Sequence, residues 1–341
     1  MKTEFKTYSP VDNTVYVERN YALPEDITDV LQRAEQAKKS WQATSLSLRA
    51  QYCTRAVDAL VAMKETLAQE LCWQMGRPIR YAAGEISGLE ERARYMIACA
   101  EEALRPIELE EKKGFIRYIK REPLGISFVI APWNYPYLTA VNTIIPSLMA
   151  GNVVILKHSI QTPLVAERFA EAFAAAGLPD GVFQYLHLTH EDTEKFIQSA
   201  PINHITFTGS VTGGDKVEHA AAGRFLNMGL ELGGKDPAYV RYDADIAQAV
   251  ETVIDGAFFN SGQSCCGIER IYVHHSIFEQ FVTQAVALVR TYKLGRSDDS
   301  ETTLGPMISA TAADFVRKQI EEAVAQGAVA HIDTRDFARS E

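Results

Sequence analysis

The chain has 341 residues, 47% of them hydrophobic and 23% charged, an ordinary globular composition long enough for two domains. Its formal net charge of −10 argues against nucleic acid or an anionic membrane as a partner, although backbone N–H groups and single lysines can still bind phosphate locally. The five cysteines (Cys53, Cys72, Cys99, Cys265 and Cys266) include no CxxC pair, so neither a metal site nor a disulfide framework is expected, and reduced thiols in a cytoplasmic setting fit best.

The N-terminal MKTEFKTYSP is polar and unlike a signal peptide, and no apolar run reaches the roughly 20 residues that span a bilayer. Residues 24–103 read as helical. Leu31, Ala34, Ala37 and Trp41 keep helical spacing, as do Ala56, Leu60, Met63 and Leu67, with a break at Gly76-Arg77-Pro78. Residues 106–109 and 115–121 flank a charged turn and mix β-prone residues with charges, which suits a projecting strand pair better than a core.

From Gly125 the pattern changes. The strands GISFVIAP, NVVILKHS, GVFQYLHL, HITFTGS and NMGLEL alternate with helical stretches closed by Gly or Pro, which predicts a parallel sheet built from βαβ units. Ligands of such sheets sit at the carboxyl ends of the strands, and there the chemistry-bearing residues gather. A second α/β stretch follows Gly234, with strands PAYVRY and ERIYVHH, so the domain boundary falls near residues 232–234.

Taken singly, each candidate has a mundane reading. Glu231, in LELGGKDP, is a general-base candidate at a strand end, but such a carboxylate is more often solvated or salt-bridged. Cys265, in FFNSGQSCC, follows a Gly-Gln turn and is a nucleophile candidate; a lone Cys is more commonly buried structure. If strand alternation has begun there, Cys265 and Cys266 point opposite ways and at most one faces a cleft. Asn134, in PWNYP, is either a turn-former or an oxyanion donor. Lys157, ending NVVILK, either reaches a ribose or phosphate or snorkels to water. FTGSVTGG offers Gly209, Ser210 and Gly214 as a phosphate-binding helix start, a weak signal without the full GxGxxG.

In series, PWNYP, VVILK, FTGS, LELGGK and FFNSGQSCC resemble the aldehyde dehydrogenase superfamily over nearly the whole chain. The resemblance implies an α/β protein. Residues 1–105 and 123–232 would form a Rossmann-like NAD(P)-binding domain, 106–122 an oligomerisation β-flap, and 233–341 a catalytic domain that is C-terminally incomplete. It implies NAD(P)-dependent oxidation of an aldehyde by a homodimer or homotetramer. Cys265 would add to the carbonyl, Asn134 and the Cys265 N–H would hold the oxyanion, and Glu231 would activate the water that hydrolyses the thioester. Trp133, Lys157, Ser159, Ile160, Gly209, Ser210, Gly214 and Leu232 would line the cofactor site. Ile160 stands where relatives that prefer NAD often carry a ribose-binding Glu, so NADP is expected to be tolerated or preferred, with Lys157 and His158 or Ser159 favouring its 2′-phosphate. A cysteine-dependent esterase and a catalytically impaired nucleotide-binding subunit are the competing expectations.

Overall fold

The computed structural model describes residues 3–337. The elements run β1 (Glu4–Tyr8), β2 (Val15–Asn20), α1 (Pro24–Ala43), α2 (Leu46–Ala62), α3 (Lys64–Met75), α4 (Ile79–Leu104), β3 (Ile107–Glu108), β4 (Tyr118–Ile119), β5 (Ile126–Ala131), α5 (Pro136–Met149), β6 (Val153–His158), α6 (Leu164–Ala175), β7 (Phe183–Tyr185), α7 (His190–Ser199), β8 (His204–Thr208), α8 (Val211–Ala221), β9 (Asn227–Glu231), β10 (Asp236–Val240), α9 (Ile246–Phe258), β11 (Ile268–Val273), α10 (Phe278–Val289) and α11 (Ala310–Ala325). They fall into two compact units. Residues up to 6, 18–64 and 84–232 make the first; residues 7–17, 65–83 and those from 233 onward make the second.

The first unit is built on a five-stranded parallel sheet of order β7-β6-β5-β8-β9. The chain starts at the central β5, steps outward through β6 to β7, then returns to the far side of β5 for β8 and β9. The order therefore reverses between β5 and β8, and a sheet of this kind takes its ligand at the carboxyl edge beside that reversal. Every residue of β5 and β6 is buried, as the near-continuous apolar runs ISFVIA and VVILKH require when helices cover both faces. Helices α1, α5 and α6 pack on these strands. The buried Trp41 of α1 ties down the end of α5 by donating its indole N–H to the Leu148 carbonyl at 3.2 Å.

Two carboxylates, the buried Glu85 and the partly buried Glu167, organise this unit. Glu85 of α4 accepts the backbone N–H groups of Tyr137 (2.8 Å) and Leu138 (3.3 Å), so a negative charge sits where the first turn of α5 exposes donors and positive dipole. Glu167 of α6 receives Nε and Nη2 of Arg19 at 2.8 and 3.0 Å and lies 3.3 Å from Nε2 of the buried His187. Burial pushes the Glu167 carboxyl upward, but the bonds from His187 and Arg19 outweigh it and hold the group at about 2.

In the second unit, β10 and β11 pair in parallel from Pro237↔Arg270 to Val240↔Val273 and are connected through α9. Their core comprises Val240, Val250, Val253, Ile254, Phe281, Ala285 and Val289.

Two features depart from the sequence reading. The polar N-terminus, to which the sequence reading assigned no element, carries β1, whose Phe5 and Thr7 alternate inward between exposed Glu4, Lys6 and Tyr8. The strand pair at 106–122 is short: Ile107–Glu108 pairs antiparallel with Tyr118–Ile119, and a single bridge joins Lys112 and Phe115. Among the described residues, no helix is long and apolar enough to cross a membrane.

A carboxylate held well below its ordinary value stabilises the fold above that value and loses the contribution as pH falls through the folded-state pKa. Glu167→Gln is therefore expected to lower stability at neutral pH and to flatten its decline between the ordinary 4.5 and about 2. Urea titrations of both proteins across that range measure this, and parallel acid limbs would contradict it.

Candidate active site

In the first unit, the chain leaves β5 through Pro132-Trp133-Asn134 into α5. Both Trp133 and Asn134 are partly exposed. Asn134 Oδ1 accepts the Tyr135 N–H at 3.0 Å, which fixes the amide; an oxyanion would need its Nδ2 end. The loop is braced behind by Glu85, as above, and by His158. Nε2 of His158 lies 3.2 Å from the Pro136 carbonyl, and Nδ1 lies 3.2 Å from the Thr162 hydroxyl. A carbonyl can only accept, so Nε2 carries the proton and Nδ1 accepts from Thr162.

This corrects one expectation. His158 was a candidate for the 2′-phosphate, but burial first, and Lys157 beside it, drive its pKa down to about 3. The ring is fully engaged and neutral near pH 7, a strut rather than a phosphate-binding cation.

Lys157 is the opposite case. Its side chain is 6% exposed, so it does not snorkel to water. Among the described residues it makes no ion pair or hydrogen bond through its ammonium, and burial pushes it down to about 8. Ser159 N–H donates to the Ala131 carbonyl at 3.0 Å, joining the ends of β6 and β5, and Ser159 Oγ accepts the Gln161 N–H at 3.2 Å. Ile160 is exposed on the same loop.

At the end of β8, Ser210 caps α8 by accepting the Gly213 N–H at 3.1 Å. Gly209 N–H donates to the Glu231 carbonyl at 3.0 Å, linking the ends of β8 and β9 and leaving the Glu231 carboxylate exposed. Gly214 packs under Leu232: a Cβ there would lie 2.7 Å from Leu232 Cδ2 and would have to displace the tip of that side chain. The single sheet edge thus carries Trp133, Asn134, Lys157, Ser159, Ile160, Gly209, Ser210, Gly214, Glu231 and Leu232.

Cys265 belongs to the second unit. Strand β11 starts at Ile268, so Cys265 and Cys266 precede it in a turn and the strand-alternation argument does not apply; both thiols are exposed. The approach to this turn is unusual. Asn260, Ser261 and Gly262 are consecutively left-handed, with φ of 54°, 57° and 74°. Such a conformation costs Ser261 about 1 kcal/mol or more, so the surroundings must hold it. Gln263 does much of this: its Nε2 donates to the Asn260 carbonyl at 3.2 Å and its Oε1 accepts the Ile308 N–H at 2.8 Å. Ser261 Oγ donates to the Gly305 carbonyl at 3.0 Å, and Asn260 Oδ1 accepts from Nε of the buried Arg77 at 3.3 Å. On the other side, Gly234 N–H donates to the Cys265 carbonyl at 3.1 Å; a Cβ on Gly234 would lie 2.7 Å from that oxygen.

Partial burial, then the neighbouring Cys266, hold the Cys265 thiol above its ordinary value, against the backbone N–H groups of Cys265 and Cys266. The thiol is accessible but rests protonated near pH 7.

The family model described as "Aldehyde dehydrogenase family" matches residues 1–340. The chain belongs to the aldehyde dehydrogenase family. It is similar to succinate-semialdehyde dehydrogenase (NADP+) 1 of Mycobacterium tuberculosis, with 33% identity over 310 residues, covering 90% of this chain and 68% of the relative. Its similarity to the NADP-dependent glyceraldehyde-3-phosphate dehydrogenase of Streptococcus equinus is 34% over 337 residues, covering 96% of this chain and 69% of that one. Among solved structures it resembles the NADP-dependent glyceraldehyde-3-phosphate dehydrogenase of Bacillus halodurans C-125 complexed with NADP, with a TM-score of 0.90, 29% identity, and coverage of 97% of this chain and 70% of the other. As a family member the protein is an oxidoreductase that oxidises an aldehyde with NAD(P). Among the described residues no cluster of His, Cys, Asp and Glu is suited to hold a metal ion.

Sequence reasoning missed Glu85, Asn260 and Gln263 as supports, because each acts through contacts that no local pattern marks. Since Cys266 is one cause of the raised Cys265 thiol, Cys266→Ser is expected to speed alkylation of Cys265 near pH 7. In both proteins the rate should climb steadily from about pH 6 to about pH 10. Mass-resolved iodoacetamide kinetics check this; a fast, pH-independent rate in the wild type would contradict the resting thiol.

Proposed function

We propose that Cys265 is the nucleophile of the aldehyde oxidation and that Asn134 and Glu231 are its partners in chemistry. The observation that carries this reading is the accessible Cys265 on a turn pinned through Gln263, Ser261 and Gly234; the Cys265 carbonyl accepts the Gly234 N–H, which fixes Cys265 itself within a backbone held in a costly conformation. Because the thiol rests protonated, its proton must leave as the sulfur adds to the carbonyl carbon, and Glu231 is the exposed carboxylate at the sheet's carboxyl edge proposed to take it. The addition makes a thiohemiacetal whose oxyanion is held by Asn134 Nδ2 and the Cys265 N–H. Loss of one such donor typically costs about 100–1000-fold in turnover.

The bound nicotinamide supplies the hydride acceptor. The residues at the carboxyl edge fit such a cofactor: Lys157 is a buried ammonium without a partner among the described residues, and Gly209 and Ser210 start α8 beside the sheet's reversal. Trp133, Ser159, Ile160, Gly214 and Leu232 would line the same site. With Ile160 in place of a carboxylate, nothing at that position repels a 2′-phosphate, so NADP is accepted. Glu231 then activates water against the thioester, and the carboxylic acid leaves with Cys265 restored as a thiol. The relatives named above act on succinate semialdehyde and glyceraldehyde 3-phosphate, so small aldehydes with an anionic end are the substrates to try first. The exposed Ile107, Leu109, Phe115, Ile116, Tyr118 and Ile119 of the projecting strand pair support assembly as a homodimer or homotetramer, and a cytoplasmic setting suits the free thiols.

With both cofactors and a panel of aldehydes, Cys265→Ala is expected to abolish production of reduced nicotinamide, while Cys266→Ala largely preserves it; equal losses would overturn the assignment of the nucleophile. Glu231→Gln is expected to slow both addition of the thiol and release of the acid, the release more, so that an acyl group accumulates on Cys265. Intact mass after mixing with aldehyde and cofactor reads this directly, and an enzyme that is slow yet carries no acyl group would remove Glu231 from that step.

A further inference from the structure

The sequence marks Gly76-Arg77-Pro78 only as a helix break, yet the link between α3 and α4 anchors the turn that carries Cys265. The Gly76 carbonyl accepts the hydroxyl of the fully buried Ser297 at 2.6 Å, and Ile79 N–H donates to the Ser297 carbonyl at 2.8 Å. Gly305 packs on the same link, where a Cβ would collide with the Gly76 oxygen. The Gly305 carbonyl in turn accepts from Ser261 Oγ at 3.0 Å, and Asn260 Oδ1 accepts from Arg77 Nε at 3.3 Å. Residues 76 and 77 therefore meet the left-handed run twice, through Gly305 onto Ser261 and directly onto Asn260, and the contacts close into a ring.

Within that ring Arg77 decides which way round the Asn260 amide sits. A guanidinium only donates, so Asn260 turns Oδ1 toward it and keeps Nδ2 to donate to the Gln263 carbonyl at 3.1 Å. A reversed amide would set donor against donor at Arg77 and acceptor against acceptor at Gln263, and both bonds would be lost. Gln263 returns its N–H and its Nε2 to the Asn260 carbonyl at 3.1 and 3.2 Å, and Cys265 follows two residues later. Arg77 is 3% exposed. Packing alone does not call for a guanidinium at that depth, since a well-packed apolar side chain is often as stable there or more so. A directed N–H is what the apolar side chain could not supply.

We propose that Arg77 is a positioning residue for the nucleophile: through Asn260 and the Gln263 carbonyl it holds the run 260–262 in the arrangement that aims Cys265 Sγ at the carbonyl carbon. The proposal rests on the reading of Cys265 as the nucleophile and adds a residue 183 positions away from Asn260 in the chain. Arg77 exchanges no proton in the reaction; it acts on the sulfur through the backbone.

The test is steady-state turnover by the intact chain, set beside alkylation of Cys265. Arg77→Lys keeps the charge and loses the fixed fork that places Nε. Asn260→Asp keeps an acceptor toward Arg77 and removes the donor toward Gln263, which cuts the same relay without uncovering the guanidinium. Each is expected to lower kcat by about 10- to 100-fold, with the KM for aldehyde and the Kd for the cofactor within about twofold of wild type. The double variant should be no slower than the slower single one, because both changes cut one chain of contacts. Alkylation of Cys265 by iodoacetamide needs an accessible thiol but no aim, so its rate should stay within about twofold of wild type. Losses in kcat that multiply in the double variant, an unchanged kcat in Asn260→Asp, or alkylation that falls as far as turnover would overturn the role. If circular dichroism shows that Arg77→Lys does not fold, Asn260→Asp decides alone. Cys265→Ala tests the premise separately: if it still turns over aldehyde, or if the wild type does not, the nucleophile reading fails and takes the proposal with it.

Discussion

The first unit of this molecule turns on a charge placed where charge is expensive. A central parallel strand covered by helices on both faces is among the least polar environments a chain can make, and β6 meets that description at every residue. Yet its fifth residue is Lys157. Taking an ammonium out of water without a counter-charge costs several kcal/mol in real proteins, and the group responds by losing affinity for its proton. The cost is tolerable because Lys157 stands one residue from the carboxyl end, where the sheet opens to a ligand. On the cofactor role proposed for Lys157, an apolar residue there would give a more stable strand and a poorer anion site.

The rest of the sheet edge is arranged around keeping that opening in register. His158, next along the strand, turns to the opposite side and locks β6 to the start of α5 through the Pro136 carbonyl. Glu85 reaches the same helix start from α4. The Pro-Trp-Asn loop is thus held by one neutral and one charged group, both buried and both bonded to backbone, and Asn134 inherits its position from them. Neither support needs to touch a ligand to matter. A displacement of about 1 Å in a reacting group can cost about 100-fold in rate, so residues that fix a loop can weigh as much as those on it.

How much of this was legible in the sequence follows from how far each interaction reaches along the chain. The parallel sheet could be read because β-branched runs alternating with helices are local patterns, and the helix start at FTGSVTGG because its Ser210 contact spans three residues. Cys265 and Glu231 stood out through motif order, not through any property of a lone thiol or carboxylate. Glu85 was invisible because its partner lies 52 residues on, and within a helical stretch a glutamate reads as solvated surface. Gln263 was read as half of a Gly-Gln turn, but its work is done on Ile308, 45 residues away. His158 was misjudged because a histidine beside a lysine suggests positive charge, whereas burial removes that charge. The alternation of Phe5 and Thr7 in β1 was present in the sequence and masked by the polar residues between them.

The thiol presents the sharper physical problem. A nucleophilic cysteine is commonly activated in advance by a nearby cation or a helix N-terminus. Cys265 has neither among the influences that set its proton affinity; its own backbone and that of Cys266 help the thiolate, while burial and the Cys266 thiol oppose it more strongly. The turn therefore presents an accessible sulfur in its unreactive form. That arrangement suits an enzyme whose nucleophile must wait, because a standing thiolate on an exposed turn would be alkylated or oxidised between turnovers. On the role proposed for Cys265, activation falls to a base at the moment of carbonyl addition, when negative charge develops on oxygen and backbone and amide donors can stabilise it. The strained run from Asn260 to Gly262 serves the same end: it fixes where the sulfur is, while leaving to the chemistry the question of when it is charged.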